Sequence, residues 1–232
     1  MKLRNNNLSL KKILGIVTSL LLVPSLLFNF YLYQKNQKLE SVYKVEEVID
    51  GDSLILKNDQ SVRLGNIDAP DLKFCGGPQA KKRLEDLVLG KTVKLDVFSH
   101  DRFNRPLALV YIDNILVNEV LLKEGLVRYD GTPSPQRENL KKAYDYAFDN
   151  RIGIFSPLCL SEKPENPKCL IKGNISRADN KKTYHFPGCS GYQQVMVEKD
   201  LGESWFCFEK EAKEADYGKS ENCFGKSFKR SN

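Results

Sequence analysis

Histidine is scarce: two residues in 232, His100 and His185. No sequence neighbour orients either ring, so base chemistry resting on imidazole has no foothold. There is no Cys-x2-Cys pair among the six cysteines, which weighs against a zinc knuckle or ribbon. One zinc set survives, His185 with Cys189, Cys207 and Cys223, because His-x3-Cys is a chelating spacing. A strand–helix–strand rhythm is also missing, which argues against a parallel doubly wound sheet. Net charge is low wherever a folded domain is expected. The formal +6 is concentrated in residues 1–40, which carry +5; residues 41–156 hold 17 basic and 18 acidic residues, and 157–232 hold 13 and 11. A global basic field is therefore excluded as the means of holding an anionic partner. Any phosphate binding has to come from local placement, such as Arg63, Arg105 or the run Lys81-Lys82-Arg83.

The one long apolar run, Ile13 to Tyr33, follows four cations and precedes two, Lys35 and Lys38. At 21 residues it spans about 31 Å as a helix, close to the hydrocarbon thickness of a bilayer. Nothing in it is amphipathic, and no Ala-x-Ala site follows it. It reads as a signal anchor with the N-terminus in the cytoplasm, in preference to a cleaved signal peptide that would leave a secreted protein. Either way the remainder is expected outside the cytoplasm. Six cysteines in such a setting favour disulfides. Fifteen pairings are possible; Cys75 with Cys159 is a reasonable local pair, leaving Cys169, Cys189, Cys207 and Cys223 for the tail.

The most informative stretch is Asp50 to Asp71, DGDSLILKNDQSVRLGNIDAPD. Leu54–Leu56 and Val62–Ile67 read as two strands joined by the turn Lys57–Gln60. Carboxylates flank both ends: Asp50 and Asp52 before, Asp68 and Asp71 after. Folding the hairpin brings those ends together, and clustered carboxylates repel unless a hard cation or protons sit between them. Arg63 on the returning strand faces the same place. Further strands are expected at Val42–Ile49, Thr92–Phe98 and Leu107–Ile112, with helices at Gln79–Leu89, Val117–Glu124 and Ser134–Asn150. Five short strands with interposed helices fit a closed Greek-key barrel. Pro157–Lys168 is Pro-rich and reads as a linker.

In order and spacing, DGDS, RLGNIDAPD, DRFNRPLALVYI, VNEVLLKEGL and IGIFS resemble the staphylococcal nuclease family, over about residues 42–156. The resemblance implies an α+β fold: an OB-type five-stranded β-barrel with three helices. Around it we expect four parts: anchor and tether (1–40), barrel (41–156), linker (157–168), and a small disulfide-stabilised module (169–232). That module carries KGNIS, YHFPGC and WFCFEKEA, and resembles units attached to such nucleases in bacterial proteins; its partner is unknown. Trp205, Phe206 and Phe208 are expected in its core.

The resemblance also implies roles. Asp52, Asp68 and the carbonyl of Ala69 would hold Ca²⁺, Arg63 and Arg105 would hold the phosphate, and Arg102 would be a basic neighbour of the substrate. Asp71 stands where the family has Glu to handle the attacking water, one methylene shorter, and Phe103 replaces a customary aromatic hydroxyl. The expectation is a membrane-anchored, calcium-dependent nuclease acting on DNA or RNA. The alternatives are a weakly catalytic or non-catalytic OB module that binds nucleic acid for capture or uptake, and an envelope scaffold whose tail binds a partner.

Overall fold

The computed structural model describes residues 22–32 and 42–228. The chain divides into two compact units, Met1–Val42 and Tyr43–Asn232. In the first, residues 22–32 are helical and expose Leu22, Leu26, Leu27, Phe28 and Phe30. The rest of the expected membrane-spanning run, residues 13–21 and Tyr33, lies outside the described residues. Among those described, no helix is long and apolar enough to cross a membrane.

From Tyr43 onward the second unit holds β1 (Val42–Val48), whose first residue is the last of the first unit, then β2 (Ser53–Leu56) and β3 (Ser61–Leu64). Apolar residues of the hairpin point inward, with Leu54, Leu56, Val62 and Leu64 fully buried. Its turn closes through Asp59 N–H to the Leu56 carbonyl, with Asp59 at φ 63°, a conformation Asp tolerates better than most residues. Then come β4 (Ile67–Asp68), α1 (Gly77–Val88), β5 (Thr92–His100) and β6 (Pro106–Ile112). Sheet order is β3-β2-β1-β5-β6, and a parallel β3–β6 pairing, Arg63 opposite Leu107, closes it into a five-stranded barrel. The short β7 (Ile115–Leu116) extends β6, and β8 (Arg128–Tyr129) pairs with β4. Helices α2 (Val117–Lys123) and α3 (Arg137–Asp149) complete the expected three.

Helix ends differ modestly from the sequence reading. Helix α1 starts two residues early, because Pro78 suits a first turn. Helix α3 starts three residues late: Pro135 holds Ser134 out of the helical region, and Gln136 is not yet helical at φ −104°, ψ 10°. Inside the barrel, fully buried Asn118 accepts from Val110 N–H and donates to the carbonyls of Gly65 and Ala108. It thereby ties the end of β3 to β6.

Beyond α3 lie β9 (Leu160–Ser161), β10 (Ile171–Ile175), β11 (Lys182–His185), β12 (Val197–Glu198), β13 (Trp205–Phe206), α4 (Glu209–Glu214) and β14 (Gly218–Lys219). A four-stranded sheet, β13-β10-β11-β14, carries a small core of Ile171, Tyr184, Phe186, Ala212 and Tyr217. Residues of the Pro-rich stretch take part, since β9 pairs with β12. Disulfides join Cys75–Cys159, Cys169–Cys207 and Cys189–Cys223, and no described cysteine is free. The local pair is thus borne out, whereas zinc at His185, Cys189, Cys207 and Cys223 is overturned: all three sulfurs are already bonded. Phe206 packs edge-on to Tyr217, but Phe208 is exposed, so it is no core residue. The chain steps from β13 into α4 at that point, and the side chain is left on the outer face.

Candidate active site

Asp52 lies in the turn between β1 and β2. Its position depends on Gly51, where a Cβ would come within 2.6 Å of Ala80 and 2.7 Å of Ala69; glycine lets α1 and the loop after β4 close over the carboxylate. Asp52 is buried, 2% exposed. Its Oδ1 accepts from Arg63 Nη1 at 2.7 Å and Ser53 Oγ at 2.8 Å, and its Oδ2 from Ala69 N–H at 2.8 Å. Burial drives its pKa up to about 7, with Asp50 adding to the rise and Arg63 opposing it. A carboxylate in that state is short of positive charge even with a guanidinium beside it.

Arg63, opposite Ser53 in the hairpin, uses the other arm of its fork. Nη2 donates to Asp68 Oδ1 at 2.7 Å. Burial works to lower the Arg63 pKa, yet the field of Asp52 and Asp68 raises it above its usual value. Two carboxylates thus converge on one cationic group, with the Ala69 backbone alongside. Asp68 is open to solvent and sits opposite Arg128 in the β4–β8 pair. Asp71 is exposed three residues on, its carboxylate 4.0 Å from Lys73 Nζ. The loop that carries it is closely packed: the Asp71 carbonyl accepts from Phe74 N–H, and a Cβ on Gly77 would lie 2.1 Å from it. Asp52, Arg63, Asp68, Ala69 and Asp71 line one cleft of about 510 Å³.

Arg105 and Arg102 stand apart from that lining. Arg105 is two residues before Leu107, the partner of Arg63 in the parallel pair, so barrel closure brings the two arginine-bearing segments side by side. Its Nε donates to Asp101 Oδ2 at 2.8 Å, and both Arg102 and Arg105 lie over the exposed Phe103 ring. Desolvation resists ionisation of Asp101, but hydrogen bonds from Arg105 and Phe103 prevail and hold its pKa low. The run Lys81-Lys82-Arg83 on α1 is already paired: Lys81 and Lys82 with Glu85 and Asp86 of the same helix, and Arg83 with Glu124 at the end of α2. Among the described residues no three His, Cys, Asp or Glu side chains form a ready cage for a metal.

Three further residues hold these groups in place, without a sequence motif that marks the role. Ser53 donates to Asp52, Asp101 holds Arg105, and Asn118 locks β3 to β6. Asn118 had a signal, being a polar residue at an inward position of the apolar helix VNEVLLK.

Residues 61–157 match the family of staphylococcal nuclease homologues. An uncharacterized endonuclease of Haemophilus influenzae is 36% identical over 110 residues, covering 46% of this chain and 62% of that protein. The probable staphylococcal-like nuclease CAN1 of Oryza sativa is 30% identical over 140 residues, 58% of this chain and 40% of its own length. CAN1 of Arabidopsis thaliana, a staphylococcal-like nuclease, is 34% identical over 110 residues, 46% and 31% of the two chains. The chain therefore spans less than two thirds of each of these relatives. The matched family residues take in Arg63, Asp68, Asp71 and Arg105, and stop where the C-terminal module begins to form.

Proposed function

We propose that the protein is an extracytoplasmic, calcium-dependent nuclease that hydrolyses phosphodiester bonds of DNA or RNA, anchored to the membrane through its N-terminal apolar segment. The observation that carries this reading is the Arg63 guanidinium held between Asp52 and Asp68 in the cleft that also holds Asp71. The residues fit a hard divalent cation: a buried carboxylate short of positive charge, a second carboxylate within reach of the same point, and the Ala69 backbone beside them. Asp52, Asp68 and the Ala69 carbonyl would hold calcium, which supplies charge neutralisation at the phosphate and an ordered water.

The chain's own residues do the rest. The Arg63 fork, set in the cleft by Asp52 and Asp68, would give two phosphate oxygens a planar match that lysine lacks. Arg105 approaches from the neighbouring segment and meets the charge that builds on the equatorial oxygens. Asp71, exposed at the cleft rim, accepts a proton from water as its oxygen attacks phosphorus in line. The P–O5′ bond breaks, and O5′ takes a proton from solvent. Near neutrality of the barrel makes these local contacts, and not a basic field, the source of affinity.

Incubating the purified chain with plasmid and RNA in millimolar calcium tests this. Cleavage should vanish with chelator and be weak with magnesium, which demands a tighter octahedron. Full activity in chelator would remove Asp52 and Asp68 from the metal role. Retention of substrate without cleavage under every ion would favour a strand-binding barrel.

A further inference from the structure

Three clefts meet around the loop from Asp68 to Phe74. The one described above faces Arg63. A second, of about 300 Å³, has Asp68 to Asp71 and Phe74 on one wall and Asn180, Asp200 and Leu201 on the other. A third, of about 470 Å³, continues past Lys73 and Phe74 to Asn166, Lys199 and Trp205. The first two share Asp68 through Asp71, and Phe74 borders both the second and the third. The loop with the candidate base is thus barrel on one side and C-terminal module on the other.

The module is fixed at this place. Arg128, on the strand paired with Asp68, donates to both oxygens of Asp200 at 2.6 and 3.0 Å, and the pair is buried. Lys199 N–H donates to the Cys159 carbonyl, and a Cβ on Gly202 would lie 2.4 Å from the Phe74 ring. Trp205 Nε1 donates to Ser161 Oγ at 3.0 Å.

We infer that the C-terminal module is the second wall of the substrate cleft: a single nucleic-acid strand runs from Arg63 past Asp71 along Asn180, Leu201 and Lys199. This rests on the nuclease reading and gives the module a role within it. Each cleft is of a size to take a nucleotide. The chemistry suits a strand. Asn180 offers both a donor and an acceptor to sugar or base edges, and Lys199 is a cation whose Glu165 partner is exposed and displaceable. Phe74 and Trp205, both half-buried, line the third cleft. Of the carboxylates on this wall, Asp200 is paired with Arg128, Glu203 is buried behind backbone N–H donors, and exposed Glu165 is paired with Lys199.

The test uses charge of both signs at one exposed loop position. Asn180 sits at φ 57°. Asn180→Asp and Asn180→Lys are assayed in the full chain with a single-stranded 12-mer and with a dinucleotide spanning only the scissile phosphate. The KM for the 12-mer should rise about threefold with Asp and fall about threefold with Lys, both effects shrinking in salt, while the dinucleotide is unmoved. A merely structural disturbance would shift both variants the same way, and that result, or no shift, overturns the inference. A 12-mer with a photoreactive base should also crosslink to residues 177–205 of the wild-type chain; crosslinks confined to the barrel overturn it. If the wild type cleaves neither substrate, the nuclease reading fails, and opposite shifts in 12-mer affinity or the crosslink still decide whether the strand lies on the module.

Discussion

The barrel and the C-terminal module are built on different physics, although they form one compact unit. Among the described residues the barrel gathers 21 buried apolar side chains into one core, whereas the module's core has seven, two of them disulfide cysteines. A large core tolerates a buried carboxylate at its rim, and Asp52 is such a residue. The module cannot lean on burial alone, so covalent ties make up what packing lacks. Both regions bury carboxylates, Asp52 in the barrel and Asp200 and Glu203 in the module, but the module also ties its smaller core with two disulfides of its own. They are joined by another device, the buried Arg128–Asp200 pair.

Breaking that joint gives the largest expected effect. Arg128→Ala leaves Asp200 buried without its partner, which costs about 3–5 kcal/mol. Thermal unfolding should then split into two transitions; a single transition at the wild-type midpoint would show that the regions do not depend on the pair.

Next is the barrel's chemistry. Arg63→Ala should lower kcat about 10²- to 10³-fold, as the loss of one preorganised donor does elsewhere, with Arg63→Lys recovering little of it. The module's disulfides and unfolding should be unchanged in both variants. Rates within tenfold of wild type would remove Arg63 from the catalytic role.

The converse variant attacks the module. Replacing Cys189 and Cys223 by Ser should cost about 2–4 kcal/mol, read as a lower module transition by calorimetry. Dinucleotide cleavage, being a property of the barrel, should survive. Equal losses of module stability and of dinucleotide turnover would erase the distinction between the regions.

Glu203 sharpens the contrast through pH. Burial raises it to about 7 from 4.5, against backbone N–H groups that favour the charged form. Its contribution to stability is then fully present below about pH 4.5 and lost as pH rises through about 7. Between those limits wild type should lose up to about 1.4 kcal/mol per pH unit more than Glu203→Gln. Identical pH slopes in the two proteins would place the titration elsewhere.

The smallest effect is expected at Asp71. Its side chain is exposed and the protein does not crowd it, so Asp71→Glu should fit, with a change in kcat below tenfold and in the downward direction. A gain of tenfold or more, about 1.4 kcal/mol of barrier, would show that the shorter arm limits the native rate.

The primary sequence determined the hairpin, the five barrel strands, three helices and the convergence of Asp52, Arg63 and Asp68. Those follow from alternation, turn residues and charges near one another in the chain, which are local signals. It also made oxidised cysteines and the Cys75–Cys159 pair the natural expectation. Only the tertiary structure decided how the last four cysteines pair, because a spacing is compatible with several bridges and geometry permits one. The Arg128–Asp200 pair joins residues 72 apart, and nothing local marks either as the other's partner. The wall that Asn180 and Leu201 raise beside Asp71 is of the same kind. It exists because the chain, after leaving the barrel, is packed back against it, and a meeting of distant segments leaves no trace in the pattern of either.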